Sequence, residues 1–344
     1  MLKSRLVITC EVTGMRYGGL DAHKDFVQAC WVDERNKVVR EERFDTTPNG
    51  MARLRKAAQD TRCVIESSTS CYQTYDALKD AGVRIRVAHP LRVKAIAFAK
   101  IKTDKTDART LAELERADLI PEAHIPSKET RNARLLVRQR VFLTKEATRL
   151  KNRARCIFLK QGIKTPPNLF TRHAWAETVA QATGNAKLAI DQLKAQLDFL
   201  HEQREELNDQ IQRTTESSED AKLLQTIPGI GPFSALLLAT EIDGVHRFND
   251  EEHLQSYAGL VPSTRQSGNT SHSGHISKQG NKLIRWVLVQ DAWITIRKSE
   301  KFRKTFIKIS RKKGSKIAIV AVARKMLRAA YVMLCRRQAF SEDA

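Results

Sequence analysis

Four acidic residues occupy positions where the chain could gather carboxylates around metal ions. Asp21 follows a short apolar stretch in GLDAHKD, Glu66 ends the apolar run VIE, and Asp104 and Asp107 lie three residues apart in KTDKTDAR. On a helix, that spacing places two side chains on one face at adjacent turns. Clustered carboxylates repel one another unless cations lie between them. Oxygen ligands suit Mg²⁺ or Mn²⁺ rather than zinc, and two such ions can bind the attacking and leaving oxygens of a phosphodiester transfer.

Each acid also has an ordinary structural interpretation. Asp21 could cap a turn, Glu66 could pair with a nearby arginine, and KTDKTDAR could be a solvated helix start. The placement of all four at strand ends and on one helix face favours metal-dependent nuclease chemistry, although a fold does not fix a function.

A second group of reactive side chains lies in the polar segment 263–280, STRQSGNTSHSGHISKQG, which is predicted to be a loop. A serine that attacks a DNA phosphate needs an exposed loop and nearby positive charge, and Ser267 has both. On the residues alone, a phosphate-binding loop without covalent chemistry is the favoured alternative, because such loops are common in DNA-binding proteins. The predicted nucleic-acid-binding residues are Arg265, Lys278, Lys282 and Arg285.

The pattern from Tyr17 onward predicts the elements that position the acids. Three strands in series (YGGLD, FVQACWV and KVVREERF) are followed by a helix, the strand RCVIES, a helix closed by Gly82, the strand VRIRVAHP and a long helix from roughly Leu91 to Leu119. This is the element order of the RNase H-like fold, a mixed sheet with helices on both faces. The strands that end in Asp21 and Glu66 lie side by side in such a sheet.

The remainder of the chain is predicted to be mostly helical. Helices at about 127–161 and 185–213 carry apolar residues at heptad spacing, which is typical of an antiparallel coiled-coil arm, with an ordinary helical bundle as the alternative. The segment IPGIG resembles a helix-hairpin-helix, or else is a plain tight turn. The predicted domains are a leader at 1–14 that is disordered or precedes the natural start, an α/β domain at 15–125, the arm at 126–218 and a mostly α C-terminal domain at 219–338.

Charge indicates the class of partner. The 344 residues carry a formal net charge of +21, and 296–338 contains fifteen Lys or Arg and one acid, Glu300. A chain this basic is expected to bind DNA or RNA, because phosphate neutralisation releases counterions. The six cysteines are scattered without zinc-ligand spacing. Neither a secretory signal nor the ~20 apolar residues of a membrane span are found, so a cytoplasmic protein is predicted.

Five segments of the chain resemble, in the same order, segments of the DEDD transposases of the bacterial insertion-sequence family IS110 and of the related Piv-type DNA invertases. These segments are GLDAHKD, VIESSTSCY, KTDKTDARTLAEL, LQTIPGIGPFSALLLATEI and LQSYAGLVPSTRQSGNTSHSGHISKQGNKLIRWVLVQDA. The resemblance covers about residues 16–335. It implies a RuvC-like N-terminal domain, a coiled-coil arm and a C-terminal transposase domain. It also implies a bacterial protein that is associated with the nucleoid.

The resemblance also implies a mechanism. The family tetrad falls on Asp21, Glu66, Asp104 and Asp107, and the nucleophilic serine falls on Ser267, as in a serine recombinase of different fold. It further implies Mg²⁺ or Mn²⁺, a homo-oligomer (dimer or tetramer) in which the acidic domain of one subunit joins the serine domain of another, and a structured guide RNA encoded by the element. Two alternatives remain at this point: a RuvC-like junction nuclease that uses water, and a non-catalytic nucleic-acid-binding protein.

Overall fold

The computed structural model describes residues 14–97, 103–267 and 270–342, with the backbone alone at 264–267 and 270–273. Residues 1–13 of the predicted leader lie outside the described residues. The chain divides into two compact units, Met1–Ile125 and Pro126–Ala344. Among the described residues, no helix combines the length and apolar composition needed to cross a membrane.

The first unit is built on a five-stranded mixed sheet. Its strands are β1 (Arg16–Ala22), β2 (Phe26–Val32), β3 (Val38–Asp45), β4 (Thr61–Glu66) and β5 (Arg84–Ala88). They lie in the order β3-β2-β1-β4-β5, with β1 antiparallel to β2 and parallel to β4. β2 is antiparallel to β3, and β4 is parallel to β5. The predicted α/β RNase H-like fold of this unit is therefore confirmed.

Helices cover both faces of this sheet. They are α1 (Pro48–Ala57), α2 (Cys71–Asp80), α3 (Pro90–Ile96) and α4 (Asp104–Arg116). Leu54 of α1 and Leu78 of α2 are buried in one apolar cluster with Leu20 of β1. On the opposite face, Leu111 of α4 is buried with Val64 of β4. Because side chains alternate along a strand, residues of β1 and β4 two positions apart face the same helix layer.

Helix α4 packs against β1 at a distance that only glycine permits. A Cβ atom on Gly19 would lie 1.9 Å from the carbonyl oxygen of Ala108 and 2.4 Å from the backbone nitrogen of Ala112. The two alanines are themselves buried, together with Cys30 and Val32 of β2. The small side chains on both sides of the contact bring the helix axis close to the sheet.

The single long helix predicted from about Leu91 to Leu119 is wrong. Helix α3 ends at Ile96, and Ala97 has extended backbone angles. A new helix starts after Thr103, whose side chain accepts a hydrogen bond from the backbone N–H of Thr106. This N-cap satisfies a free amide of the first turn and fixes where α4 begins. No apolar residue lies between Ile101 and Ala108, so the apolar pattern lapses there, and the cap at Thr103 is the signal that the prediction of one long helix overlooked.

The second unit begins with two long helices. They are α5 (Lys128–Lys160) and α7 (Gly184–Glu216), joined through the short helix α6 (Arg172–Val179). Ala154, late in α5, is buried with Ile190, early in α7. Arg140, early in α5, donates a 2.6 Å hydrogen bond to the side-chain oxygen of Asn208, late in α7. The two helices therefore pack antiparallel.

The rest of the unit is a helical core with one hairpin. Its elements are α8 (Glu219–Gln225), α9 (Pro232–Ile242), α10 (Glu251–Tyr257), β6 (Pro262–Ser267), β7 (Thr270–Ile276), α11 (Lys282–Lys298), α12 (Glu300–Lys313) and α13 (Ser315–Arg336). The α8–α9 turn carries the IPGIG segment. Its Gly229 has a φ of +98°, and a Cβ there would lie 2.6 Å from the hydroxyl of Thr295 on α11. This glycine is needed for packing within the unit, whereas a Cβ on Gly231 would meet nothing within 4 Å.

The segment predicted as a polar loop at 263–280 is largely a β-hairpin. β6 and β7 pair antiparallel, with Ser267 opposite Thr270. The hydroxyl of Ser263 donates a 2.9 Å hydrogen bond to the carbonyl of His275. Serine and threonine are polar, so the segment resembles a loop by composition, but threonine also favours extended backbone.

A buried carboxyl group joins α9 to α11. One oxygen of Asp291 accepts a 3.0 Å hydrogen bond from the hydroxyl of Ser234, and the other is buried without a hydrogen-bond partner. Burial raises the pKa of Asp291 from 3.8 to about 7, and the hydrogen bond from Ser234 opposes this. A proton on the carboxyl group removes the cost of burying a charge.

We expect Asp291→Asn to flatten the pH dependence of stability. Between about pH 4 and 7 the unfolded chain loses the Asp291 proton before the folded chain does, so wild-type stability falls by up to about 1.4 kcal/mol per pH unit. The loss is complete above about pH 7. Thermal unfolding should therefore show the melting temperature of the variant gaining on wild type from pH 4 to 7 and then levelling off. Asp209→Asn is the matched control, because Asp209 is exposed. A difference in melting temperature between Asp291→Asn and wild type that stays constant from pH 4 to 7 would contradict the raised pKa of Asp291.

Candidate active site in the RNase H-like unit

Asp21 lies near the end of β1, on the face of the sheet that α4 covers. It is two residues beyond Gly19, the point of closest approach to α4. Its side chain is 17% exposed. Since the last residues of β1 extend past the helix contact, the carboxylate is largely buried but still reachable from the edge of the sheet.

Glu66 is the corresponding residue of the neighbouring strand. The register of β1 and β4 pairs Leu20 with Ile65, so Asp21 and Glu66 are the next residues along their strands. Val64, two residues before Glu66, packs against Leu111 of α4. The alternation of the strand therefore places Glu66 on the same face as Asp21.

The third and fourth acids lie in the first turn of α4. Asp104 is the first residue of the helix and Asp107 is the fourth. Acidic side chains are favourable there, because the backbone N–H groups of the first turn carry a partial positive charge. The close packing of α4 on β1 brings this helix end to the edge of the sheet where Asp21 lies.

A histidine that sequence reasoning did not select joins two of the acids. The Nε2 atom of His23 lies 3.1 Å from a carboxylate oxygen of Asp21 and 3.4 Å from one of Asp104. One ligand atom from each of these three residues lies within 4.8 Å of the others. The only sequence signal for it was the position of His23 two residues after Asp21 in GLDAHKD. It is weak, because a histidine in a turn is usually an ordinary polar residue.

The pKa of Asp21 reflects the burial of its carboxyl group and the negative charges close to it. Burial is the largest cause that raises the pKa of Asp21, and the charges of Asp104 and Asp107 raise it further. His23 opposes the rise through its charge and its hydrogen bond. Like charges held close together are stable only when positive charge lies among them.

The far end of α4 is fixed by a buried ion-pair network. Glu115 is 1% exposed, and its carboxylate accepts hydrogen bonds of 3.1 Å from Arg62 of β4 and 2.8 Å from Arg86 of β5. Breaking such a pair leaves a buried charge uncompensated, which is costly. With Gly19 packed against the middle of the helix and Glu115 paired near its C-terminal end, α4 has little freedom to move its acids away from the sheet.

The donor set fits a divalent cation. Carboxylate oxygens and an imidazole nitrogen are ordinary ligands of Mn²⁺, and carboxylates alone suit Mg²⁺. The mutual repulsion of the acids gives a cation a second reason to bind here. Asp21, His23 and Asp104 would hold such an ion, with Glu66 and Asp107 lining the same edge.

The predicted serine site belongs to the second compact unit. Ser267 is the last residue of β6, and its side chain and that of Arg265 lie outside the described residues. Lys278 follows the hairpin with a left-handed φ of +55° and is exposed, as is Lys282 at the start of α11. Arg285 donates a 2.8 Å hydrogen bond to the carbonyl of Ala258, so it helps to hold the chain next to the hairpin.

Positive charge is concentrated on α12 and the residues that follow it. Its exposed cationic side chains are Arg303, Lys304, Lys308, Arg311, Lys312, Lys313 and Lys316. Glu300 pairs with one of them, Lys304, at 3.2 Å. A surface with so little compensating negative charge attracts a polyanion such as nucleic acid.

Comparisons with known proteins agree with these features. A model described as "Transposase IS116/IS110/IS902 family" matches residues 221–306, and a second, the DEDD transposase model of IS110, matches residues 18–161. The latter contains all four acids, and the former contains the hairpin with Ser267.

Individual relatives share most of the chain. The transposase for insertion sequence element IS1111A of Coxiella burnetii is 24% identical, over 94% of this chain and 90% of that protein. A probable family 20 transposase of Pseudomonas aeruginosa is 25% identical over 94% and 97%. The pilin gene-inverting protein of Moraxella bovis is 28% identical over 75% of each.

Among solved structures, T. thermophilus RuvC in complex with a Holliday junction substrate aligns with 32% of this chain and 99% of that chain, at 15% identity and a TM-score of 0.23. The fold assignment rests on the strand order, and the family assignment rests on the two models and the relatives. The chain belongs to the IS110 family of DEDD transposases, enzymes that cleave and recombine DNA.

Proposed function

We propose that this transposase exchanges DNA strands with a composite site, in which a metal centre of Asp21, Glu66, Asp104 and Asp107 acts together with a nucleophilic Ser267. The observation that carries the proposal is the convergence of β1, β4 and the start of α4 at one edge of the RNase H-like sheet. The half-buried carboxylates of Asp21, Glu66 and Asp107, with the exposed carboxylate of Asp104, can hold a cation that binds a phosphate.

The acids position the scissile phosphate. The four acids would hold a divalent ion, and the ion when bound would supply positive charge to the phosphate oxygens. Asp21 and Glu66 project from the sheet. Asp104 and Asp107 project from a helix that is held at its middle by the contact with Gly19 and near its C-terminal end by the ion pairs of Glu115. Such a site holds its ligands in place before the substrate arrives, which lowers the reorganisation needed for reaction.

Ser267 forms the covalent link. Its hydroxyl oxygen attacks the phosphorus atom, and the phosphodiester bond to the neighbouring deoxyribose breaks. The hydroxyl proton passes to the leaving sugar oxygen, so the products are a serine phosphodiester and a free DNA hydroxyl. Attack by the hydroxyl of another strand reverses the step, releases the serine and joins the new partners. The bond energy is conserved, so no external energy source is required.

The partners follow from the resemblance and the charge. We propose that Ser267 of one subunit works with the acids of another, which makes the active enzyme a homo-oligomer. We propose also that a structured RNA encoded by the element pairs with donor and target DNA. The net charge of +21 and the exposed cations of α12 support a second polyanion beside the DNA. Arg265, Lys278, Lys282 and Arg285 are the proposed contacts near the hairpin.

We expect Asp104→Asn to abolish most strand cleavage while leaving DNA binding intact. The substitution keeps the size of the side chain but removes a charged ligand, which should lower the cleavage rate about a hundredfold or more. Cleavage of a plasmid that carries the element ends is measured with its RNA and Mg²⁺, and binding is measured by gel shift.

Asp60→Asn is the matched control, because Asp60 is exposed and has a left-handed φ of +54° that asparagine accepts. Cleavage by Asp104→Asn at the wild-type rate would mean that Asp104 takes no part in the reaction. DNA binding by wild type without any Mg²⁺-dependent cleavage would favour a non-catalytic nucleic-acid-binding protein.

We expect Ser267→Ala to lose the covalent protein–DNA adduct. Without the hydroxyl no serine ester can form, so denaturing gels should show the adduct with wild type and with Ser271→Ala, a control on the opposite strand of the hairpin, but not with Ser267→Ala. Peptide mapping of the wild-type adduct should place it at residue 267.

Two results would redirect the proposal. An adduct that persists in Ser267→Ala would assign the nucleophile to another residue. Efficient cleavage by wild type with no adduct would favour water as the nucleophile, as in a junction nuclease.

A further inference from the structure

His23 is not one of the four acids, yet its imidazole lies against two of them, Asp21 and Asp104. The residue belongs to the tight turn between β1 and β2, where its backbone N–H donates a 2.8 Å hydrogen bond to the carbonyl of Phe26. This turn folds the side chain back toward Asp21, so that its nitrogen lies against carboxylates from both β1 and α4.

The ring of His23 is held by stacking. It lies parallel to the ring of Phe26, with centroids 4.5 Å apart and an interplanar angle of 22°. The guanidinium of Arg43 lies 3.4 Å from the centroid of the same phenyl ring. Stacked contacts of this kind restrict the ring to one orientation, and in that orientation Nε2 faces the acids.

The two separations that involve His23 are close to those within one coordination sphere, and all three ligand atoms lie within 4.8 Å of one another. Neighbouring ligands of an octahedral ion with bonds of about 2.1 Å lie about 3 Å apart. The Nε2 atom of His23 is 3.1 Å from the oxygen of Asp21 and 3.4 Å from that of Asp104. The site can therefore accept an ion with little movement of these three side chains.

We propose that Nε2 of His23 is a direct ligand of the divalent ion, and that it makes this centre favour Mn²⁺ over Mg²⁺. The inference rests on the metal centre proposed above and adds a nitrogen ligand to its carboxylates. Mg²⁺ binds through oxygen and water, whereas imidazole is a better ligand for transition ions, whose affinities rise from Mn²⁺ onward. A mixed nitrogen and carboxylate set therefore shifts the preference away from Mg²⁺.

The imidazole could instead pair with the two carboxylates and leave when an ion binds. The two arrangements differ in whether a nitrogen atom is bonded to the metal. Pulsed electron paramagnetic resonance of bound Mn²⁺ separates them, because a directly coordinated imidazole nitrogen gives a ¹⁴N coupling that a displaced ring does not.

The test uses the full chain titrated with Mn²⁺. Wild type should show the ¹⁴N coupling, and His23→Phe should lose it, because phenylalanine keeps the stack on Phe26 but has no ligand atom. We expect Mn²⁺ affinity to fall about tenfold or more in this variant, with a much smaller change for Mg²⁺ measured by competition. His23→Gln, which keeps a polar group beside the acids, should give the same loss of coupling and serves if the phenylalanine variant fails to fold.

His253→Phe is the matched control. The Nδ1 atom of His253 lies 2.8 Å from a carboxylate oxygen of Asp250, so it is also a histidine paired with an aspartate. It belongs to the second compact unit, whereas the tetrad belongs to the first. This variant should keep both the coupling and the Mn²⁺ preference of wild type.

The outcomes separate this inference from the proposed function. Mn²⁺ that binds in an Asp21-dependent manner without ¹⁴N coupling, or with coupling that persists in His23→Phe, would overturn the role of His23 and leave the metal centre standing. Mn²⁺ binding that is unchanged in Asp21→Asn would overturn the metal centre, and this inference with it.

Discussion

The candidate site depends on the close approach of α4 to β1 at Gly19. A Cβ there would lie 1.9 Å from a backbone oxygen of the helix, so every other residue would push the helix outward. The contact sets how far the first turn of α4 stands from the sheet, and with it the position of Asp104. Arg62 and Arg86, which pair with Glu115, fix the C-terminal part of the helix. The protein thus uses packing to hold charges together that would otherwise separate.

That arrangement has an electrostatic cost, which the structure offsets in part. The N-terminal N–H groups of α4 favour Asp104 and Asp107, and His23 provides a polar partner for Asp21 and Asp104. Burial and the neighbouring acids still raise the pKa of Asp21. A bound cation would offset the remaining repulsion among the acids, so the site is expected to be more stable with the cation bound than without it. The repulsion among the carboxylates that destabilises the empty site is also what favours cation binding there.

Much of the first unit could be predicted from its sequence, because strand order and strand-end acids are local patterns. The pairing of the strands that carry Asp21 and Glu66 followed from the element order. His23 could not be predicted, since its approach to Asp104 depends on a turn and a helix far apart in the chain. The break before Thr103 was missed because a single N-cap residue is a weak signal in a polar stretch between two helical segments. The hairpin at Ser267 was missed because its composition is that of a loop.

The central claim is that these carboxylates hold the metal that DNA cleavage requires. Anomalous X-ray scattering from crystals of the transposase bound to element-end DNA and Mn²⁺ tests it most directly. We predict a manganese peak within coordination distance, about 2.0–2.3 Å, of oxygens of Asp21 and Asp104, with Glu66 and Asp107 facing the same ion or a second one beside it. A peak at another site, or a tetrad whose acids are paired only with protein cations in the presence of Mn²⁺, would contradict the claim.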